Sequence, residues 1–226
     1  VQNIEAIGNL AKSLGIFLIV DAAQTIGYID IDVKKMNIDL LAFPGHKSLF
    51  GLQGTGGLYI SDNIDIPSLK EGGTGSNSDS FIQPNFLPDK FESGTLNTPG
   101  IIGLNEGVKF ILSKGLSNIR HHETELMVYL TNELQSLSFV KLYGETNPLL
   151  KTPVLSFNID NRDSSEVGQY LNSLNIYVRT SYHCAPLIHK IIGTEGIGTV
   201  RVSPGYFNNF NDIESFIVAI RNLYNK

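Results

Sequence analysis

The feature of the sequence that most limits its fold is an uninterrupted apolar run, residues 16–20, which ends at the carboxylate of Asp21. Apolar positions spaced as on one face of a helix precede it over residues 4–14, and Gly15 follows them as a helix terminator. A second apolar run covers residues 40–43. Such runs are typical of parallel strands that are buried on both faces. They predict an α/β domain, in which ligands collect at the carboxyl ends of the strands.

The character of the chain changes after a third predicted strand, residues 57–61. Residues 68–99 are rich in Gly, Ser, Asn and Pro with little periodicity, which predicts a long loop with a functional role. Helices and short strands follow. We therefore expect the end of a mainly parallel sheet domain over residues 1–90 and a smaller α+β domain over residues 91–226.

Within the second domain, the apolar spacing predicts four helices and four short strands. The helices are expected at residues 99–113, 117–137 with Ser117 as the N-cap, 164–174 and from Asn211 onwards, and the strands at residues 140–143 and 154–159 and near Tyr177 and Thr199.

Charge and cysteine content exclude several functional classes. Seventeen basic residues against 22 acidic ones give a net charge of −5 with no basic run, so no nucleic-acid partner is expected. The apolar runs are too short to cross a bilayer and no leader is recognisable, so we expect no membrane association and a cytoplasmic location. The one cysteine, Cys184, leaves no intramolecular disulfide or cysteine-rich metal cluster, and no metal is expected. Because the chain starts with Val1 instead of Met, we expect it to be the later part of a longer protein.

Asp21 and Lys47 each follow a predicted strand and are informative as a pair. Alone, Asp21 reads as a helix-capping or surface residue and Lys47 as an ordinary surface lysine. Together they meet the needs of pyridoxal phosphate, which requires a lysine amine for its covalent link and a carboxylate that keeps its ring nitrogen protonated. Gln24, three residues after Asp21, would donate to the ring oxygen from the same strand end.

Further blocks follow this segment in order. Val-Asp-Ala-Ala-Gln at 20–24 with Gly-His-Lys at 45–47 is followed by Gln-Gly-Thr-Gly-Gly at 53–57, Phe-Glu-Ser-Gly-Thr-Leu-Asn at 91–97 and Arg-Thr-Ser-Tyr-His-Cys-Ala-Pro-Leu at 179–187. In this order they resemble the class V aminotransferase family of fold-type I pyridoxal-phosphate enzymes, specifically its cysteine desulfurase and selenocysteine lyase branch. The resemblance covers essentially the whole chain. It implies that residues 1–90 are the last part of the cofactor domain and residues 91–226 the small C-terminal domain.

The resemblance also implies the roles of the cofactor residues. Lys47 would be the lysine that binds pyridoxal phosphate covalently, and Asp21 the partner of the ring nitrogen. Gln24 would contact the ring oxygen, and His46 would lie near the cofactor or its phosphate.

A glycine-rich loop completes the implied cofactor site. In enzymes of this family, the positions of Gly73 and Thr95 reach the phosphate across a dimer interface, so the resemblance implies a homodimer. Backbone amides and hydroxyls are suitable phosphate ligands. Without the other blocks, the same loop would be interpreted as a flexible connector.

Cys184 is the candidate nucleophile. A lone cysteine is more often a small buried apolar residue, but this one follows His183 and lies five residues after Arg179. The resemblance implies that its thiolate attacks the sulfur of substrate cysteine and leaves a persulfide and alanine. It implies also that Arg201 binds the substrate carboxylate, with Arg179 and His183 nearby, although outside this context Arg201 would be taken for a strand-edge ion pair. Ser181 stands where the family usually has glycine in a turn with positive φ.

The expected function is therefore that of a pyridoxal-phosphate-dependent cysteine desulfurase. Its substrate would be cysteine or selenocysteine, and a sulfur-acceptor protein would be its partner. Selenocysteine lyase, or another class V aminotransferase or lyase, is the alternative among enzymes. A non-catalytic dimerising fragment is the alternative outside them.

Overall fold

The computed structural model describes residues 1–224 and divides the chain into two compact units. The first unit is Gln2–Leu116, and the second runs from Ser117 onwards together with Val1. Mixed helices and sheets make up both units, which confirms the α/β expectation. In the part of the chain that the structure describes, no helix has the length and apolar character needed to span a membrane.

The first unit contains two helices and three strands. In chain order they are α1 (Ile4–Ser13), β1 (Ile19–Asp21), β2 (Leu40–Pro44), β3 (Gly56–Ile60) and α2 (Thr98–Lys114). Helix α1 begins where the Asn3 side chain accepts the Ala6 amide, and it ends just before Gly15, whose φ is 65°. Both helix ends lie where the sequence predicts them.

The three strands form one sheet in the order β1-β2-β3. Strand β1 pairs with β2 in parallel, with Asp21 opposite Ala42. Strand β3 pairs with β2 in the antiparallel sense, with Tyr59 opposite Leu41. Among the described residues, the predicted mainly parallel sheet is thus represented by one parallel pair.

The prediction that β1 is buried on both faces is wrong for this chain. The strand is limited to Ile19–Asp21, and only Val20 of its three residues is buried. Ile19 is 69% exposed and Phe17, just before it, 68%. The physical reason is that successive residues point to opposite faces of the sheet: Val20 points to the face that packs in the core, and Ile19 and Asp21 point to the face that is left exposed at β1.

Helix α2 packs on the loops of the first unit through closely approaching glycines. A Cβ atom at Gly107 would lie 2.2 Å from the Leu49 carbonyl oxygen. The rings of Phe110 and Phe50 meet edge to face at 5.6 Å. Residues 91–116 therefore pack with the first unit, whereas the division into cofactor and C-terminal domains after residue 90 stays a prediction.

The second unit is an antiparallel sheet covered by helices. Its elements are α3 (Leu116–Gln135), β4 (Val140–Tyr143), β5 (Leu155–Ile159), α4 (Ser164–Ser173), α5 (Pro186–Ile191), β6 (Val200–Val202) and α6 (Phe210–Tyr224). The strands lie in the order β4-β5-β6. Side chains of β5, α3, α4 and α6 form its buried core, which includes Phe157, Leu130, Leu171 and Ile220. Burial of these apolar side chains stabilises the unit and fixes the position of β6.

Two local predictions for this unit are wrong, and one helix was missed. Ser117 is not an N-cap, because α3 starts one residue earlier, directly after Gly115 with its φ of 82°. Near Tyr177 there is only an isolated bridge between Arg179 and Arg201. Helix α5, at six residues too short to show an apolar period, was not predicted at all.

Candidate active site

Asp21 and Lys47 follow two strands whose carboxyl ends lie at the same end of the first sheet. Strands β1 and β2 are parallel, so their carboxyl ends meet, and the Ala22 amide extends the ladder by donating to the Ala42 carbonyl at 2.9 Å. The Asp21 carboxylate accepts the Ala23 amide at 2.8 Å, which fixes it at the start of the next turn. Asp21, Gln24 and Lys47 are exposed, so their polar groups are accessible to a ligand.

The loop that carries His46 and Lys47 is held closed by backbone hydrogen bonds. The Gly45 amide donates to the Thr55 carbonyl, and the Gly51 amide to the Gly45 carbonyl, both at 2.8 Å. A Cβ atom at Gly45 would lie 2.3 Å from Thr55 Oγ1, so the close approach requires glycine there. The loop places His46 and Lys47 on the surface of the first unit.

The glycine-rich loop brings together the segments of Gly73 and Thr95. The amide of Gly94, the neighbour of Thr95, donates to the Gly73 carbonyl at 2.8 Å. Ser76 donates to the Asp89 carboxylate at 2.7 Å, which ties the same loop to a single 3₁₀ turn. Gly73 and Thr95 are both exposed.

In the second unit, Arg179 and Cys184 are in direct contact. Nη2 of Arg179 donates to Sγ of Cys184 at 3.0 Å. A guanidinium has donors only, so the sulfur is the acceptor in this contact. Cys184 is exposed, which leaves its sulfur open to a reaction partner. The contact places the positively charged guanidinium of Arg179 next to the one thiol of the chain.

Arg201 lies beside this pair on β6. Its backbone pairs with that of Arg179 in both directions, with N–H to oxygen distances of 3.1 and 2.7 Å. Burial, followed by the charge of Arg179, lowers the pKa of the Arg201 guanidinium, which a guanidinium tolerates without losing its proton. Its Nε is buried and has no partner among residues 1–224. A half-buried cation with an unused donor is suited to bind a carboxylate.

His183 is a neutral imidazole in the same cluster. Burial above all, and then the charge of Arg201, lower its pKa to about 4. Its Nε2 lies 2.9 Å from Thr199 Oγ1. Its Nδ1 is buried without a partner in the described part of the chain. At neutral pH, His183 therefore adds no positive charge to those of Arg179 and Arg201.

The segment that bears Cys184 has a strained backbone. Ser181, His183 and Cys184 have φ values of 78°, 51° and 64°. Left-handed conformations of non-glycine residues cost on the order of 1–3 kcal/mol each and persist only where the surroundings enforce them. The turn with positive φ at Ser181, expected from the family's usual glycine, is present even though a serine occupies it.

Sequence reasoning missed a group of residues that support this segment. His189 is buried, and its Nδ1 lies 2.7 Å from Thr194 Oγ1. The Tyr182 ring lies 4.8 Å from the His189 ring, and its hydroxyl accepts the Gly196 amide at 2.7 Å. Pro186, which occupies the first position of α5, is the one sequence signal for a helix here.

Comparison with known proteins determines the family. The profile of the family described as Aminotransferase class-V matches residues 1–216. The chain belongs to the class V aminotransferase family. A probable cysteine desulfurase of Methanothermobacter thermautotrophicus is 36% identical over 221 residues, which cover 95% of this chain and 54% of that protein. A probable cysteine desulfurase of Pyrococcus abyssi is 34% identical over 99% of this chain and 56% of its own length.

Solved structures agree with the family assignment. The apo structure of a cysteine desulfurase from Thermococcus onnurineus matches 98% of the chain and 56% of its own chain, with a TM-score of 0.86 and 33% identity. The Escherichia coli cysteine desulfurase CsdA has the same TM-score at 24% identity, which shows the fold. The chain thus spans about half the length of the relatives it matches.

For a member of the class V aminotransferase family, the residues singled out from the sequence form two groups. The first unit brings Asp21 and the Lys47 loop to one sheet edge, and it joins the segments of Gly73 and Thr95. The second unit gathers three residues around the thiol of Cys184, namely Arg179, His183 and Arg201.

Proposed function

We propose that the whole protein to which this chain belongs is a pyridoxal-phosphate-dependent cysteine desulfurase of the cytoplasm. The observation that carries the proposal is the 3.0 Å contact of Arg179 with Cys184, beside the unused Nε donor of Arg201. A nucleophilic thiol next to a carboxylate site is what the removal of sulfur from an amino acid requires. The name cysteine desulfurase, which the similar proteins carry, supports sulfur as the element transferred.

The residues that follow the carboxyl ends of β1 and β2 fit pyridoxal phosphate. An amine and a carboxylate that leave the same edge of a parallel pair are the donor set this cofactor needs. Lys47 would hold it covalently, Asp21 would pair with its ring nitrogen, and Gln24 and His46 would contact the ring oxygen and its surroundings. When bound, the cofactor supplies an electron sink for bonds broken at the substrate's carbon atoms.

Arg201 would bind the substrate. Its guanidinium would pair with the carboxylate of cysteine, since charge-assisted hydrogen bonds contribute about 1.5–3 kcal/mol each. Arg179 and the neutral His183 would complete the polar wall around the substrate. Because the His183 imidazole is uncharged at neutral pH, the substrate carboxylate would be attracted by the two arginines alone.

Cys184 would accept the sulfur. Its thiolate forms an S–S bond with the substrate sulfur as the C–S bond of the substrate breaks, and the carbon atom that loses sulfur takes up a proton. The products are a persulfide on Cys184 and alanine, so the electrons balance without an external oxidant. Arg179 would hold Sγ in place before the step.

Two partners belong to the proposal. The exposed segments of Gly73 and Thr95 would reach the cofactor phosphate of a second protomer, which makes the enzyme a homodimer. A sulfur-acceptor protein would then take the persulfide sulfur from the exposed Cys184. Sedimentation of the whole protein as a dimer supports the first partner, and a monomeric, active species contradicts it.

Incubation of the whole protein with cysteine tests the activity. The expected result is equimolar alanine, together with one extra sulfur atom on the peptide that contains Cys184 and that a reducing thiol removes. Release of selenide from selenocysteine without any alanine from cysteine would favour the selenocysteine lyase alternative. A protein that binds no pyridoxal phosphate and turns over neither substrate would be the non-catalytic alternative.

A further inference from the structure

The strained segment of Cys184 needs an anchor, and one residue outside it contacts two of its residues, Ser181 and His183. Thr199 is 1% exposed and lies in the chain two residues before Arg201. Its amide donates to the Ser181 carbonyl at 3.2 Å. Its Oγ1 lies 2.9 Å from Nε2 of His183. Thr199 thus contacts the first and the third residue of the 181–183 segment, on which the position of Cys184 depends.

These contacts close a ring of interactions around the thiol. Thr199 is joined through two peptide units to Arg201, whose backbone pairs with Arg179. Arg179 in turn donates to Cys184, the neighbour of His183. The sulfur is therefore fixed from two sides, through the Arg179 side chain and through the hydrogen bond between His183 and Thr199.

Among these interactions, the hydrogen bond of the Thr199 hydroxyl is the one that a single substitution can remove. With Nδ1 of His183 buried and unpaired in the described residues, Thr199 supplies the one hydrogen bond of the imidazole. Without the hydroxyl, Nε2 of His183 would lose its Oγ1 partner and keep only the polar contact with the Thr199 backbone, and the loss of a hydrogen bond by a half-buried group is costly. We expect the weaker hold on the imidazole to loosen the strained backbone of Cys184.

We propose that Thr199 is a positioning residue that fixes the Cys184 segment on β6 next to Arg201 by its hydrogen bond to His183. The proposal rests on the proposed desulfurase function for its kinetic consequence, but its structural consequence is independent of activity. Thr199 does not contact the reacting atoms; it acts through His183 and the backbone.

The structural consequence is tested by amide hydrogen exchange of the whole protein. Thr199→Val keeps the shape and the strand preference of the side chain but removes the hydroxyl. Thr199→Ser keeps the hydroxyl. In Thr199→Val the peptide over residues 180–186 should exchange about tenfold faster than in wild type, the scale of one lost hydrogen bond. Thr199→Ser should exchange like wild type.

Thr131→Val is the matched control, because Thr131 is a buried threonine whose Oγ1 has no partner in residues 1–224. It should leave exchange over residues 180–186 unchanged. His183→Ala removes the other side of the same hydrogen bond, and the double variant with Thr199→Val should exchange no faster than the faster single variant. Wild-type exchange in Thr199→Val, or additive effects in the double variant, overturn the proposal.

Two substrates distinguish the route by which Thr199 acts. Selenium can leave selenocysteine without a protein thiolate to accept it, whereas sulfur transfer needs Cys184. Thr199→Val should therefore lower kcat for cysteine about tenfold with a smaller change in KM, lower selenocysteine turnover much less, and, unlike Thr199→Val, Thr199→Ser should behave like wild type. Equal losses on both substrates, or a loss confined to KM, would assign the effect to Arg201 and contradict the proposal. If the wild-type protein turns over neither substrate, the proposed function fails, while the exchange experiment still decides the role of Thr199.

Discussion

Arg179 donates from Nη2 to the sulfur of Cys184 at 3.0 Å, across five positions of the chain. The contact exists because a left-handed turn folds the chain back over Arg179, whose backbone is itself paired with β6. Sequence spacing alone does not dictate it. It makes the thiol of Cys184 the point at which the proposed chemistry can be tested.

Cys184→Ser should retain the cofactor and the binding of cysteine, because Lys47, Asp21 and Arg201 are untouched. Sulfur transfer should fall below about a thousandth of wild type, the scale on which loss of an essential nucleophile acts. Alanine formation is the measurement, with Ser113→Ala, an exposed change on α2, as the control. Alanine production at the wild-type rate in the serine variant would remove Cys184 from the mechanism.

Lys47→Ala should abolish the cofactor linkage that borohydride reduces, together with turnover, since Lys47 is the amine that follows the parallel pair. The measurement is the visible absorbance of the cofactor and the mass of the labelled peptide after reduction. Lys109→Ala, which removes an exposed lysine from α2, should keep both. Reducible cofactor on another lysine of the Lys47→Ala variant would refute the assignment.

Gly198→Ala should disturb the Cys184 segment. Gly198 has φ 64°, and a Cβ atom there would lie 2.7 Å from Ser181 Cα. Gly193→Ala is the matched control, because Gly193 has φ 71° with nothing within 4 Å of its Cβ position. Denaturant unfolding should show a loss of about 1–2 kcal/mol for the control, from backbone strain, and a larger loss for Gly198→Ala. Equal losses would show that the contact with Ser181 is harmless.

Glu123 should make folding stability depend on pH. Burial raises its pKa from the ordinary 4.5 to about 7, against the lowering effects of the Tyr206 amide and His122. The folded carboxyl holds its proton more tightly than the unfolded one, so this group's stabilisation, complete below about pH 4.5, is lost as the pH rises through about 7. Glu123→Gln keeps an acceptor for Tyr206 and removes the charge. Relative to wild type, its stability should therefore rise by about 1–3 kcal/mol between about pH 5 and pH 8.

Unfolding midpoints of both proteins across this pH range check the difference. Glu125→Gln changes an exposed carboxylate on the same helix and should follow the wild-type profile. A Glu123→Gln profile parallel to that of wild type would show that burial of this carboxyl has no energetic weight.

The buried hydroxyl of Thr131 predicts a stabilising substitution. Its Oγ1 has no partner within residues 1–224, on a helix that lies in the core of the second unit. Thr131→Val keeps the shape, and valine and threonine have similar helix propensities. The free energy of unfolding should rise by about 1 kcal/mol, and a fall would indicate that the hydroxyl is satisfied by water.

The sequence predicted the elements that depend on local pattern and failed where packing decides. Helix α1 and strand β4 lie where their patterns place them, because apolar period and terminating residues are local signals. The burial of Ile19 was overestimated, since an apolar strand does not reveal whether a neighbour covers it.

The candidate site shows the same division. Arg179, His183, Cys184 and Arg201 were chosen as candidates by residue type and order, and the structure brings them together. Their hydrogen bonds, and the role of Thr199, depend on three left-handed residues that no propensity predicts. Threonine is common in strands, so nothing in the sequence marked Thr199 as part of the candidate site.

The single-sided pairing of β1 has a practical consequence for handling the chain. Its outer edge offers unpaired amides and carbonyls among the described residues, flanked by the exposed side chains of Ile16, Phe17 and Ile19. An uncovered apolar strand edge is a template for pairing with a second copy. Recombinant production of these 226 residues by themselves should therefore yield insoluble material, and a lysine in place of Phe17 is the first change to make against it.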